Sequence, residues 1–215
     1  LLLEQAEKNG ARVIREKVTL EAVGAEVRVR LGCEVQAFDA VVLSSGAWVK
    51  ELLEPLGYYV DVRPQKGQLI ELTLETTEDT SKWPVCMLHG EIDILPFPDG
   101  KILVGATHEN TQGFDLVPDE ELLNGMYEEA CASLPSLKNA KRTGVRVGTR
   151  AYTSDFLPFF GEVPNTTNAF VASGLGSSGL TSGVWIGECL SRMAAGEEVG
   201  FSVEKYTPQN YVRKV

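Results

Sequence analysis

Twice in this sequence an apolar run suited to a buried strand ends near a glycine and passes into a helix-forming stretch. The first is Phe38-Asp39-Ala40-Val41-Val42-Leu43, then Ser44-Ser45-Gly46, after which Val49, Leu52, Leu53 and Leu56 recur at helical spacing. The second runs from Asn168 to Ser173 into Gly174-Leu175-Gly176-Ser177-Ser178-Gly179, with a helix predicted from there to about Ala195. A strand that is apolar throughout needs cover on both faces, and strand, glycine turn, helix is half of a βαβ unit. The two ends of the chain, 1–59 and 162–215, are therefore predicted to share one parallel-sheet domain.

The stretch between them has a different period. From Gln68 to Glu75 apolar Ile70, Leu72 and Leu74 alternate with polar partners, as in an antiparallel strand with one wet face. Ile92–Phe97 and Lys101–Ala106 flank Pro98-Asp99-Gly100, a hairpin signal. Pro118 is expected to open a helix with Asp119, Glu120 and Glu121 in its first turn. Leu122, Leu123, Met126, Tyr127, Ala130, Cys131 and Leu134 mark its buried face, and Pro135 ends it. A strand from Arg142 to Thr153 follows, so residues 60–161 read as an antiparallel domain. Short strands are also expected at Ala11–Ile14, at Val18 and from Val23 to Leu31. The fold class is thus α/β combined with α+β, an antiparallel sheet with flanking helices interrupting a parallel one. Leu1 to Lys8 reads as the end of a helix stopped by Asn9-Gly10, which predicts that the chain is a fragment of a longer one.

Charge and composition narrow the function. A net charge of −10 repels phosphate backbones and anionic lipid, so nucleic acid is not an expected partner. No apolar run reaches bilayer length, and the first residues have neither a basic n-region nor a small-residue cleavage site. The four cysteines are scattered with no CxxC, and with only His89 and His108 beside them no metal site is expected. Reduced thiols point to the cytoplasm. The two histidines are too isolated to build a nucleophilic relay, which counts against hydrolase chemistry.

Three stretches carry candidate chemistry. The loop Gly174–Gly179 lets backbone approach a ligand at a helix N-terminus, fit for a phosphate, a carboxylate or the pyrimidine edge of a flavin; a plain tight turn explains it equally. Arg150, on a predicted strand, could hold a carboxylate by two parallel hydrogen bonds. Spacing alone favours a surface salt bridge for it, and Arg146 shares its face. Gly46 ends a buried strand, where ligands bind in open α/β sheets, although a structural turn accounts for it as well.

In order along the chain, Phe38 to Trp48, Val62-Arg63-Pro64-Gln65-Lys66-Gly67-Gln68-Leu69, Pro96 to Glu109, Gly148-Thr149-Arg150 through Gly161, and Ala172 to Leu180 resemble the D-amino-acid oxidase superfamily. Flavin-dependent glycine and D-amino-acid oxidases of the deaminating kind are the most similar members. The resemblance implies a partial FAD-binding domain around a substrate domain, and oxidation of a small amino acid by hydride transfer. It places Val18 at the adenine, Gly46 and Ala47 beside the cofactor, and Gly174, Leu175, Gly176, Ser177, Ser178, Gly179, Leu180 and Thr181 around the flavin pyrimidine edge. Arg150 then grips the substrate carboxylate. Tyr152 and His89 are the candidates for a substrate-gating residue, and a homo-oligomer is compatible with the family.

This chain departs from the pattern in places. The family's Arg-Pro is Arg150-Ala151, the histidine common in the last glycine loop is Leu175, and the absence of a cysteine at Ala151 implies a non-covalent FAD. No G-x-G-x-x-G follows a strand before Val18. Weak or absent FAD binding by these residues alone is therefore expected. A catalytically silent, folded binding module is the alternative.

Overall fold

The computed structural model describes residues 1–88 and 92–215, so His89 lies outside the described residues. In chain order the elements are α1 (Leu2–Lys8), β1 (Val18–Val23), β2 (Glu26–Leu31), β3 (Glu34–Gln36), β4 (Val41–Leu43), α2 (Val49–Leu53), β5 (Tyr58–Val60) and β6 (Arg63–Thr73). They continue with β7 (Cys86–Met87), β8 (Asp93–Pro96), β9 (Lys101–Gly105), α3 (Glu120–Ser133), β10 (Lys141–Tyr152), β11 (Phe159–Glu162), β12 (Ala169–Ser173), α4 (Gly179–Ala194) and β13 (Val212–Lys214). The protein is mixed α/β with several sheets. Two compact units form: Leu1–Val60 with Phe159–Ala172 and Trp185–Val215, and Asp61–Pro158 with Ser173–Val184. No helix among the described residues is long and apolar enough to cross a membrane.

In the first unit β12 pairs parallel with β4, matching Ala169 to Val41 and Val171 to Leu43, in a sheet of order β11-β12-β4. Buried Asn168 sits at the head of this pair. Its amide accepts from the Val27 N–H at 2.8 Å and donates to the carbonyls of Val27 and Phe38 at 2.9 and 3.0 Å. Only Val41–Leu43 of the expected 38–43 strand pairs, because the Phe38 carbonyl is taken by this side chain. The alternating residues after Val23 are not one strand but a turn and the second arm of a hairpin. Gly24, at φ +63°, reverses the chain so that Val23 faces Glu26 and Val18 faces Leu31. The strand expected at Ala11–Ile14 does not form: Val13 and Ile14 are exposed and the segment joins no ladder.

The second unit is built on an antiparallel sheet of order β10-β6-β9-β8-β7. The alternation read in β6 works as a two-sided surface. Ile70 and Leu72, with Ile94, Ile102 and Val104 from neighbouring strands, bury one face against Leu123, Met126 and Ala130 of α3. Helix α3 begins at Glu120, two residues after Pro118. The Asp119 carboxylate caps it, accepting the N–H groups of Glu121 and Leu122 at 3.0 and 3.1 Å. Leu122, expected on the buried face, is exposed instead, and Pro135 opens a short 3-10 turn rather than marking a bare stop. The β8–β9 hairpin closes at Asp99 and Gly100, both at positive φ. A Cβ on Gly100 would stand 2.1 Å from the Leu74 carbonyl oxygen, so no larger residue fits.

Candidate functional site

On β10, residues 146, 148, 150 and 152 share one face, and on β6 their partners are Leu69, Gly67, Gln65 and Arg63. This is the sheet face opposite α3. Here Gly148 and Gly67 stand directly across from each other, leaving a floor without side chains. The Arg150 guanidinium lies over Gly67: a Cβ there would meet Nη1 at 2.4 Å and Cζ at 2.7 Å. Nη1 donates to the Thr107 carbonyl at 2.9 Å, so Arg150 reaches across β6 to the segment after β9. A cleft of about 340 Å³ results, lined by Gly67, Leu69, Ala106, Arg146, Gly148 and Arg150 among others, with no acidic residue among the described residues of its wall. Arg146 does share that face, and its Nε bonds Glu71. Tyr152, the other catalytic candidate on this strand, is buried and stacks on Phe156 at 5.6 Å between ring centres.

The segment that receives Arg150 is held from the opposite side by a buried polar network. The nearly inaccessible Lys66 ammonium donates to Asp115 Oδ2 at 3.1 Å and to the Val117 carbonyl, and lies 3.9 Å from Glu109 Oε2. Glu109 Oε1 accepts from Thr107 Oγ1 at 2.6 Å and from Gln68 Nε2 at 2.7 Å, while Gln68 Oε1 takes the N–H of Asp119, the cap of α3. The Val117 backbone N–H and the Lys66 ammonium hold the Asp115 carboxyl below the usual carboxylate range. A buried ammonium is tolerable only with such partners. Gly67, Lys66 and Thr107 were missed as site residues. The available signal was Gly67 itself, a glycine inside a strand pattern, which marks a close approach.

The glycine loop lies within the same unit as Arg150. Gly174, at φ +75°, is packed where a Cβ would come within 2.8 Å of Thr153 Cγ2 and 3.0 Å of the Leu157 carbonyl. Thr153 is fully buried and donates its hydroxyl to Leu157 and Asp155, which fixes the turn after β10. Strand β10 thus runs beside the Gly176–Ser178 turn. Ser177, Ser178, Leu180 and Thr181 face solvent, Leu180 almost completely. Ser178 and Thr181 hydroxyls bond back to the carbonyls of Leu175 and Ser178, leaving the loop narrow.

Val18, Gly46 and Ala47 belong to the first unit. Val18 opens β1, and Gly46 takes φ +57° with open space where a Cβ would project. Ala47 is buried, and the neighbouring Ser45 Oγ is buried without a hydrogen-bond partner among the described residues. An orphaned hydroxyl beside an open glycine is a fitting wall for a polar cofactor. A second cavity of about 440 Å³ lies beside α3, lined by His108, Glu109, Glu121, Leu122, Met126 and Glu129. Its acidic wall is ill-suited to a carboxylate, which favours the arginine cleft. Among the described residues no group of histidines, cysteines and acids has the arrangement of a metal site.

Residues 1–193 match the family model described as FAD dependent oxidoreductase (DAO). An oxidoreductase of Bacillus subtilis, YurR, is 38% identical over 211 residues, covering 96% of this chain and 56% of its own length. The glycine oxidase of Pseudomonas putida is 31% identical over 175 residues, 81% of this chain and 47% of that enzyme. The crystal structure of iminodiacetate oxidase from Chelativorans sp. BNC1 superposes with a TM-score of 0.91 at 32% identity, covering 96% of this chain and 56% of that one. The chain therefore spans about half the length of the curated relatives it matches.

Proposed function

The chain belongs to the DAO family of FAD-dependent oxidoreductases, and from that membership we propose that the complete protein oxidises the carbon–nitrogen bond of a small amine-bearing carboxylic acid. The observation that carries this reading is the Arg150 guanidinium laid over Gly67, above a cleft floored by Gly67 and Gly148. A planar guanidinium offers paired N–H groups to a carboxylate, and the Thr107 carbonyl already fixes one edge of it. Pre-set orientation lowers the entropic cost of binding and presents the substrate's α-carbon in one pose.

FAD, when bound, supplies the two-electron oxidation that turns the amine into an imine open to hydrolysis. We assign to it, as the resemblance implies, Val18, Gly46 and Ala47 and the Gly174–Thr181 loop, each read within its own part of the fold. The open position at Gly46 and the orphaned Ser45 hydroxyl support the first assignment. The exposed, narrow glycine loop ahead of α4 supports the other, since backbone N–H groups at a helix start favour an electron-rich ligand edge. Tyr152 flanks Arg150 on the same strand face and is assigned to orient the substrate rather than to exchange protons with it. Small amino or imino acids, such as those for which the relatives are named, fit within the cleft of about 340 Å³. The unbridged thiols support a reducing compartment such as the cytoplasm.

Arg150→Ala in the complete, flavin-loaded protein tests the assignment. Losing one partner of a desolvated ion pair should raise KM roughly a hundredfold with a smaller change in kcat. Unchanged kinetics would remove Arg150 from the site.

A further inference from the structure

Arg150 alone suffices for one carboxylate, yet the cleft carries a second arginine. Arg146 stands four residues back along β10 on the same face, its Cα about 13 Å from that of Arg150 in an extended strand. The Arg150 side chain leans toward it, because its guanidinium covers Gly67, the partner of Gly148, rather than its own partner Gln65. Between the two arginines the floor is Gly148, where an added Cβ would meet nothing within 4 Å. The space is open, it has a cation at each end, and none of its lining residues among those described is acidic.

Among the described residues Glu71 is the carboxylate paired with Arg146, through a hydrogen bond from Nε. Glu71 also lies 3.9 Å from Lys101, so one acid is shared between two cations. The two Nη groups of Arg146 make no hydrogen bond among the described residues, and the side chain is more than half exposed. Anchored at Nε by Glu71, the Arg146 head group still offers its Nη pair beside a bare glycine floor, which suits a second anionic group on the ligand.

We propose that Arg146 is a specificity-determining residue that holds the distal carboxylate of a dicarboxylic amine, whose proximal carboxylate is held by Arg150 across Gly148. This rests on the reading of Arg150 given above. It predicts preference for a short amine with a carboxylate at each end over its monocarboxylate analogue.

Isothermal titration of the complete protein, with its flavin held reduced so that no turnover occurs, separates the two claims. The probes are iminodiacetate and N-methylglycine. Arg146→Gln should weaken iminodiacetate roughly tenfold, the scale of one charge-assisted contact, and leave N-methylglycine within about twofold. Arg146→Lys should recover part of the loss, because charge returns without the planar donor pair. Equal weakening of both probes, or no weakening of iminodiacetate, would overturn the role of Arg146. Arg150→Gln should weaken both probes. If it leaves both unchanged while Arg146→Gln remains selective, it is the reading of Arg150 that falls.

Discussion

Gly67 shows how one missing side chain can place another. Its backbone sits in an ordinary extended strand, so the glycine is needed for space rather than for φ. Gly67→Ala should push the Arg150 guanidinium off its seat and weaken N-methylglycine binding several-fold. The melting temperature should hardly move, because the displaced atoms are the flexible end of a side chain. A large drop in melting temperature with unchanged binding would contradict this. Asn168 is the opposite case, a residue whose side chain does the work of backbone. Asn168→Ala would strand the buried N–H and carbonyl of Val27 together with the Phe38 carbonyl, at a cost of about 2–3 kcal/mol. Urea denaturation would measure it.

At the scale of elements, α3 is fixed at its start by Asp119, which both caps the helix and gives its own N–H to the buried Gln68. Asp119→Ala should cost about 1 kcal/mol, read as a lower urea midpoint with an unchanged slope. The β8–β9 hairpin is less forgiving. Gly100→Ala must place a methyl against the Leu74 backbone while holding a left-handed φ, and about 2–3 kcal/mol should be lost. The same measurement compares the two, and a smaller loss at Gly100 than at Asp119 would show that the turn can relax.

For the whole molecule, the acid side of the stability profile follows from depressed carboxyls. Asp115 is held low by the Val117 N–H and Lys66, and Asp79 by the Ser81 hydroxyl and Lys82. A carboxyl depressed in the folded state adds stability that is fully present above its unfolded value, near pH 4, and is lost as pH falls through the folded value. Stability should therefore decline below about pH 4, and Asp115→Asn should flatten that decline. Thiol labelling gives an independent check: exposed Cys33 should react first, and Cys189 last of the exposed–buried pair, since burial pushes its thiol up and hides it. With no G-x-G-x-x-G following a strand before Val18, the 215 residues alone should bind FAD weakly. Stoichiometric flavin absorbance after gel filtration would refute that.

Much of this was readable along the chain. The run ending at Leu43, the loop from Gly174 to Gly179 and the Pro98-Asp99-Gly100 turn each combine an apolar period with glycine, and both signals are local. So the parallel β4–β12 pairing, the antiparallel sheet and the family itself could be anticipated. Local pattern failed at Ala11–Ile14, where apolar residues found no ladder, and at Val23–Leu31, where one left-handed glycine split a strand into a hairpin. Composition and spacing could not choose between Arg146 and Arg150, since both share a face and a charge. Cross-strand register distinguishes the two in geometry: it sets Gly67 opposite Gly148 and gives the Arg150 guanidinium a bare patch of backbone to lie on. Pairing across a sheet joins residues far apart in sequence, so the seat of that arginine exists only once the strands have met.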